Sequence, residues 1–243
     1  MAFMKHFLLY CSFLSVMMVT PSFTEVKDPE NLLHYLVREP KVKTGHPPVI
    51  LLLHGLGSNE KDLFSFADQL PADFLVISAR APYTLGKDSY AWFQVDFSKG
   101  TPVYNNEQAE KSRTTLIEFI TLLQAKHHFD EKQLYLCGFS QGAIMSYGVG
   151  LTDPGKVKGI AIMSGRLLED VKPILAPKDK LKSLKVFISH GTKDHVLDIR
   201  YAREVSFYLK TLGIEPFYKE YAEGHGINAD MFKDLLAWLK DTK

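Results

Sequence analysis

The sequence predicts an α/β domain, with a mainly parallel central sheet flanked by helices on both faces. Three observations point there. Strand-like apolar runs and helix-like stretches alternate along most of the chain. Hydrophobic residues make up 46% of the 243, and charge runs are few, so there is apolar side chain enough for a well-buried core. The length suits one substantial domain, expected over 23–243, with no repeat, low-complexity tract or second domain.

Residues 1–22 stand apart. Lys5 lies in a short basic start, 7–19 is almost wholly apolar, and Thr20-Pro21-Ser22 offers small residues for cleavage. This pattern reads as a secretory signal peptide and implies export, periplasmic or extracellular. The apolar stretch is short for a membrane span, which needs about 20 residues. An uncleaved anchor is the competing reading. Without the leader, Cys137 is the only cysteine, so no intramolecular disulfide can form. Its place in a strand-like run predicts a buried thiol.

The elements then follow in order. Residues 31–40 predict an additional antiparallel strand. Val49–Leu53 is an unbroken apolar run ending in His54-Gly55-Leu56-Gly57, and 62–69 is helix-like. A strand is expected at 74–78. Residues 83–104 form the longest irregular excursion and carry Tyr83, Tyr90, Trp92, Phe93 and Phe97. They read either as core packing under a long loop or as an apolar wall of a site. A long helix is expected over 107–127, capped by Asn105 or Asn106. Strands at 134–137, 157–163, 186–189 and 217–221 alternate with helices at 143–151, 199–212 and 229–240.

The formal net charge is +1, which leaves no electrostatic footprint for nucleic acid. The most basic stretch, 178–185, alternates lysine with other residues and reads as a solvated face.

Gly138-Phe139-Ser140-Gln141-Gly142 lies between a strand-like run and a helix-like one. A serine there can be a nucleophile elbow, because glycine on both sides removes Cβ atoms that would clash in so sharp a turn. A glycine-rich turn with a capping serine is the alternative, and the partners decide between them. Of nine histidines, only His190, His195 and His225 follow Ser140. His190 ends a strand with no strand-end acid before it and reads as structural. His195 adjoins Asp194 in a turn and reads as a surface residue. His225, between Gly224 and Gly226, sits on a sterically open loop and is the candidate base. Asp194 follows a strand by a short turn, at the carboxyl end where open α/β sheets gather ligands. Its rival, Asp198, opens a helix and reads as a cap. The candidate oxyanion donors are the backbone amides of Gln141 and Leu56.

These pieces together resemble the phospholipase/carboxylesterase family of α/β-hydrolases, which includes the acyl-protein thioesterases. The matching stretches are 52–63, Ala79-Arg80-Ala81-Pro82, Ala91-Trp92-Phe93, 138–143, 189–194 and 224–227. The resemblance implies the α/β-hydrolase fold and a serine hydrolase acting on carboxylic esters or thioesters. It implies Ser140 as nucleophile, His225 as base and Asp194 as acid, with no metal and no organic cofactor. It favours Trp92 as a substrate-contacting wall. Small-molecule or lipid acyl esters are the implied substrates, with transient membrane contact for the latter. An exported peptidase or deacetylase on the same fold, or a non-catalytic binding protein, is the alternative. Two positions depart from the family pattern: Ala143 stands where a second glycine is common, and Gln94 where an aspartate is common.

Overall fold

The computed structural model describes residues 28–42, 45–98 and 102–243. The expected signal peptide at 1–22 lies outside the described residues. In chain order the elements are β1 (Tyr35–Arg38), β2 (Val49–Leu53), α1 (Lys61–Phe64), β3 (Leu75–Ala79), β4 (Tyr83–Gly86), β5 (Ser89–Ala91), β6 (Val95–Asp96), β7 (Val103–Tyr104), α2 (Asn106–His127), β8 (Leu134–Phe139), α3 (Gln141–Thr152), β9 (Gly159–Met163), α4 (Lys178–Leu181), β10 (Lys185–Gly191), α5 (Arg200–Thr211), β11 (Phe217–Tyr221) and α6 (Ala229–Thr242).

Seven strands form one sheet in the order β1-β3-β2-β8-β9-β10-β11. Only β1 is antiparallel to its neighbour; the remaining pairs are parallel. The sheet is an α/β-hydrolase sheet, as expected. Both of its faces are covered, which explains why the central strands are apolar throughout rather than alternating. Val49, Leu51 and Leu53 of β2 belong to the core layer shared with α2, α3 and α5, while Ile50 and Leu52 belong to the layer shared with α1 and α6. The same division holds in β8, where Leu134 and Leu136 face one way and Tyr135 and Cys137 the other. Burying one such side chain contributes roughly 1.5–3 kcal/mol, so the sheet core dominates the stability. Cys137 is fully buried, and burial pushes its thiol up to about 12.

Helix α2 begins where asparagine can cap it: the Asn105 carbonyl Oδ1 accepts from the Gln108 N–H at 3.0 Å. It ends on His128 in the left-handed region at φ 50°. The helix expected over 62–69 is broken. The chain forms α1, then a 3-10 turn at Ala67–Gln69. The Ser65 hydroxyl donates to the Asp62 carbonyl at 2.6 Å, and the Ser65 N–H reaches both Lys61 and Asp62 carbonyls. That local competition tightens the helix end. The described part of the excursion, 83–98 and 102–104, carries more strand than expected, since β4 pairs with β5 and β6 with β7. Strands of two to four residues carry too little periodicity to be read from sequence.

Candidate active site

Strand β8 runs straight into α3, and the turn between them needs both glycines. A Cβ on Gly138 would lie 2.3 Å from the Gly142 backbone, and one on Gly142 would lie 1.9 Å from the Leu53 carbonyl oxygen. Ser140, at the apex, has φ 52° and ψ −114°, a conformation that L side chains rarely hold. Its own N–H is anchored on the Met163 carbonyl at the tip of β9, 2.9 Å away. The strained serine therefore stands fixed at the carboxyl edge of the sheet, at the start of α3.

Asp194 follows β10 in a turn whose geometry its own side chain secures. Oδ1 accepts from the backbone N–H groups of Val196 and Leu197, each at 2.8 Å. Oδ2 accepts from His225 Nδ1 at 2.7 Å. A carboxylate only accepts, so the His225 proton sits on Nδ1 and Nε2 is left bare. The Ser140 hydroxyl donates to that Nε2 at 2.9 Å. Three residues far apart in the chain are thus joined in a continuous line of hydrogen bonds. The loops carrying Asp194 and His225 also touch directly, since a Cβ on Gly191 would lie 2.2 Å from the Gly224 carbonyl oxygen. Gly226, by contrast, has open space around it.

Asp198 takes the other part expected of it. It is exposed and accepts from the Arg200 N–H at 2.8 Å, at the start of α5. His195 is exposed, as read from sequence. His190 is fully buried and has a more definite place than sequence indicated. Its Nε2 lies 2.7 Å from the Leu197 carbonyl and 3.2 Å from Asp194 Oδ2, so it braces the acid loop from behind.

The loop after β2 lies against the serine. A Cβ on Gly55 would meet Ser140 Cβ at 3.4 Å. Gly57 needs φ +80°, and its N–H is tied to the Tyr90 carbonyl at 2.9 Å. Among the described residues the Leu56 N–H has no acceptor, and Gln141 opens α3, where helix N–H groups lack intrahelical partners. Both candidate oxyanion donors are therefore free. His54 fixes this loop. It is fully buried, accepts from the Ala81 N–H at Nε2 (3.0 Å) and donates from Nδ1 to the Gly55 carbonyl (2.7 Å). Burial lowers its pKa, which keeps the ring neutral and the tautomer defined.

Trp92 is not a substrate wall. It is fully buried, with Nε1 donating to the His54 carbonyl at 3.0 Å and its ring 5.7 Å from the His54 ring. It supports the loop from beneath. The side chain of Gln141, whose role sequence reasoning missed, clamps the same segment. Oε1 accepts from the Trp92 N–H and Nε2 donates to the Phe93 carbonyl, both at 2.7 Å. The wall beside Ser140 is built instead by Leu56, Phe93, Val95, Phe97, Tyr104, Ile144, Val196 and Leu197, around an open cleft. Leu56, Phe97 and Val196 keep 37%, 60% and 65% of their surface exposed, which makes the mouth apolar as well as the interior. Ala143, one of the departures from the family pattern, is accommodated by Gly165, where a Cβ would come within 2.5 Å of Ala143 Cβ.

Glu60 and Arg80, two residues of the matching stretches, pair bidentately at 2.7 Å behind the loop. Arg80 holds the Glu60 carboxyl down at about 2.

Comparison with known proteins bears on family and fold. A family model for phospholipase/carboxylesterase matches residues 34–243. An acyl-protein thioesterase 1 from Cryptococcus neoformans var. neoformans serotype D is 28% identical over 193 residues, covering 75% of this chain and 79% of its own. Carboxylesterase SOBER1 from Arabidopsis thaliana is 26% identical over 204 residues, covering 79% and 89%. The crystal structure of a Bacillus cereus carboxylesterase superposes with a TM-score of 0.74 at 21% identity, over 87% of this chain and 95% of that one, a likeness of fold.

Proposed function

The chain belongs to the phospholipase/carboxylesterase family, and from that premise we propose that it cleaves carboxylic esters or thioesters through a serine acyl-enzyme. Ser140 Oγ attacks the acyl carbon as its proton passes to His225 Nε2. The Leu56 and Gln141 backbone N–H groups donate to the developing oxyanion. Asp194 holds the His225 tautomer and stabilises the imidazolium. The imidazolium then protonates the departing alcohol or thiol, leaving the acyl group on Ser140. Water, deprotonated by His225, releases the acid and restores the serine. The cycle uses no metal and no organic cofactor.

One observation carries this reading: the Ser140–His225–Asp194 line at 2.9 and 2.7 Å, with two free amides beside the serine. The apolar cleft and its exposed rim of Leu56, Phe97 and Val196 favour small-molecule or lipid acyl groups, with transient membrane contact for the latter. The test is hydrolysis of an ester, a thioester and an amide of one acyl group. Ester and thioester should turn over and Ser140→Ala should lower kcat by about 10⁴–10⁶-fold. Faster cleavage of the amide would favour a peptidase, and no turnover of any would favour a binding protein. The export signal read at 1–22 is a separate proposal, carried by sequence alone. N-terminal sequencing of protein recovered outside the cytoplasm should begin near residue 23, and an intact Met1 on soluble cytosolic protein would refute it.

A further inference from the structure

Arg166 is the one described arginine without a hydrogen bond. Arg38 donates to the carbonyls of Leu70, Pro71 and Phe74. Arg80, Arg113 and Arg203 each hold a glutamate, and Arg200 reaches the Tyr201 hydroxyl. Arg166 touches only aromatic faces: its Cζ lies 4.2 Å from the Tyr201 ring centroid and 5.2 Å from that of Tyr104. Its Nε is buried without a partner.

Its position gives this a meaning. Arg166 leaves the tip of β9 three residues after Met163, whose carbonyl anchors the Ser140 N–H. Tyr104, one of the two stacking rings, is also a wall of the Ser140 cleft. Arg166 also lines a neighbouring open pocket with Tyr201, Glu204 and Tyr208.

Stacking occupies the faces of a guanidinium and leaves its in-plane N–H donors to other partners; in Arg166 none meets a protein acceptor among the described residues, and the one on Nε is buried. Burying that one N–H without an acceptor is costly. The acceptors nearby are already committed or out of reach. Glu169 is paired with Lys172 at 2.8 Å. Glu204 lines the pocket but makes no ion pair with Arg166 at 4.0 Å or less; it is exposed and lies one turn from Arg200. The stacked cation therefore lacks an acceptor among the described residues, and Tyr104, on which it stacks, also lines the active-site cleft.

We propose that Arg166 binds a carboxylate at the distal end of the acyl group, so that the preferred substrates are half-esters or half-thioesters of dicarboxylic acids. The inference rests on the serine-hydrolase reading above and adds the substrate class. The apolar cleft takes the methylene chain, and the guanidinium held between Tyr104 and Tyr201 takes the terminal anion in a charge-assisted, bidentate pair.

The experiment compares matched 4-nitrophenyl esters: hexanoate against the half-ester of adipate, and octanoate against the half-ester of suberate. The ratio of kcat/KM, anionic over neutral, is measured for wild type, Arg166→Met and Arg166→Lys. The wild-type ratio should exceed one in at least one pair and fall with added salt. Arg166→Met should lower it by about 10–100-fold, mainly through KM, and Arg166→Lys should restore it in part, the charge being kept and the planar fork lost. An unchanged ratio in Arg166→Met, with both rates falling together, would make Arg166 a stacking post and overturn the proposal. Inhibition of the wild type gives a readout independent of the variants: suberate should compete more strongly than octanoate, and the reverse order would overturn it. If the neutral esters are cleaved in a Ser140-dependent way and the ratio stays flat, only this inference fails. If wild type cleaves none of the four esters, the serine-hydrolase reading fails and this inference with it.

Discussion

Replacing Gln141 by alanine tests whether the elbow and the aromatic excursion are one mechanical unit. The side chain is only 3% exposed and makes two 2.7 Å hydrogen bonds, from the Trp92 N–H and to the Phe93 carbonyl. Alanine leaves both backbone groups buried and unpaired, at about 1–3 kcal/mol each. The expected loss is therefore about 2–5 kcal/mol, allowing for partial relaxation. In a domain of this size 1 kcal/mol shifts Tm by roughly 2–4 °C, so Tm should fall by about 4–20 °C. The backbone N–H of residue 141 survives the substitution, so the proposed oxyanion donor is retained. The kinetic effect should then appear as a raised KM, because Phe93 no longer holds its wall of the cleft. Calorimetry and steady-state kinetics on the same preparation give both readouts. A Tm within about 2 °C of wild type together with an unchanged KM would refute the clamp.

Other consequences follow from the same structure. Asp194→Asn should cost about 10⁴-fold in kcat through loss of tautomer control, whereas Asp198→Ala should cost only about 1 kcal/mol of stability as a lost cap; kinetics and urea unfolding of the pair distinguish the roles, and the reverse pattern would exchange them. Arg80 depresses the Glu60 carboxyl from 4.5 to about 2, so this pair adds stability above pH 4.5 that is lost as pH falls toward 2; the depression corresponds to at most about 3 kcal/mol. Urea unfolding should show Glu60→Gln less stable than wild type at pH 7, with the gap closing below pH 4.5; a gap independent of pH would contradict the assignment. Cys137, fully buried with its thiol raised to about 12, should resist iodoacetamide at about pH 8 in the native state and react once denatured, as read by peptide mass; rapid native alkylation would place it outside the core.

The central strands were legible because they are buried on both faces and read as apolar runs; β2 matches its expected bounds, and β8 and β10 extend slightly beyond theirs, while the edge strand β11 matches its bounds although lysine and glutamate interrupt it. Ser140, Asp194 and His225 were legible for another reason: each sits at a strand end or open loop with glycine nearby, and the steric need for Gly138, Gly142 and Gly191 is visible in the close contacts their missing Cβ atoms avoid. What sequence did not disclose is which aromatic residue faces the cleft. Trp92 and Phe93 are adjacent and equally apolar, and the direction each side chain takes depends on the Gln141 clamp and the His54 carbonyl, both remote in sequence. His190 was passed over because its bracing of Asp194 depends on the Leu197 carbonyl, which only the folded turn brings within reach. The short strand pairs β4–β5 and β6–β7 were hidden because they are held by backbone pairing rather than by a periodic apolar face.

The central claim is that Ser140 is a nucleophile activated through His225. Intact-mass and peptide-mass analysis after treatment with a fluorophosphonate tests it most directly. One adduct on Ser140 is expected in the wild type, none in Ser140→Ala, and strongly slowed labelling in His225→Ala, because the bond between them runs from Oγ to Nε2. Equal labelling of Ser140→Ala, or an adduct mapped to another residue, would contradict the account.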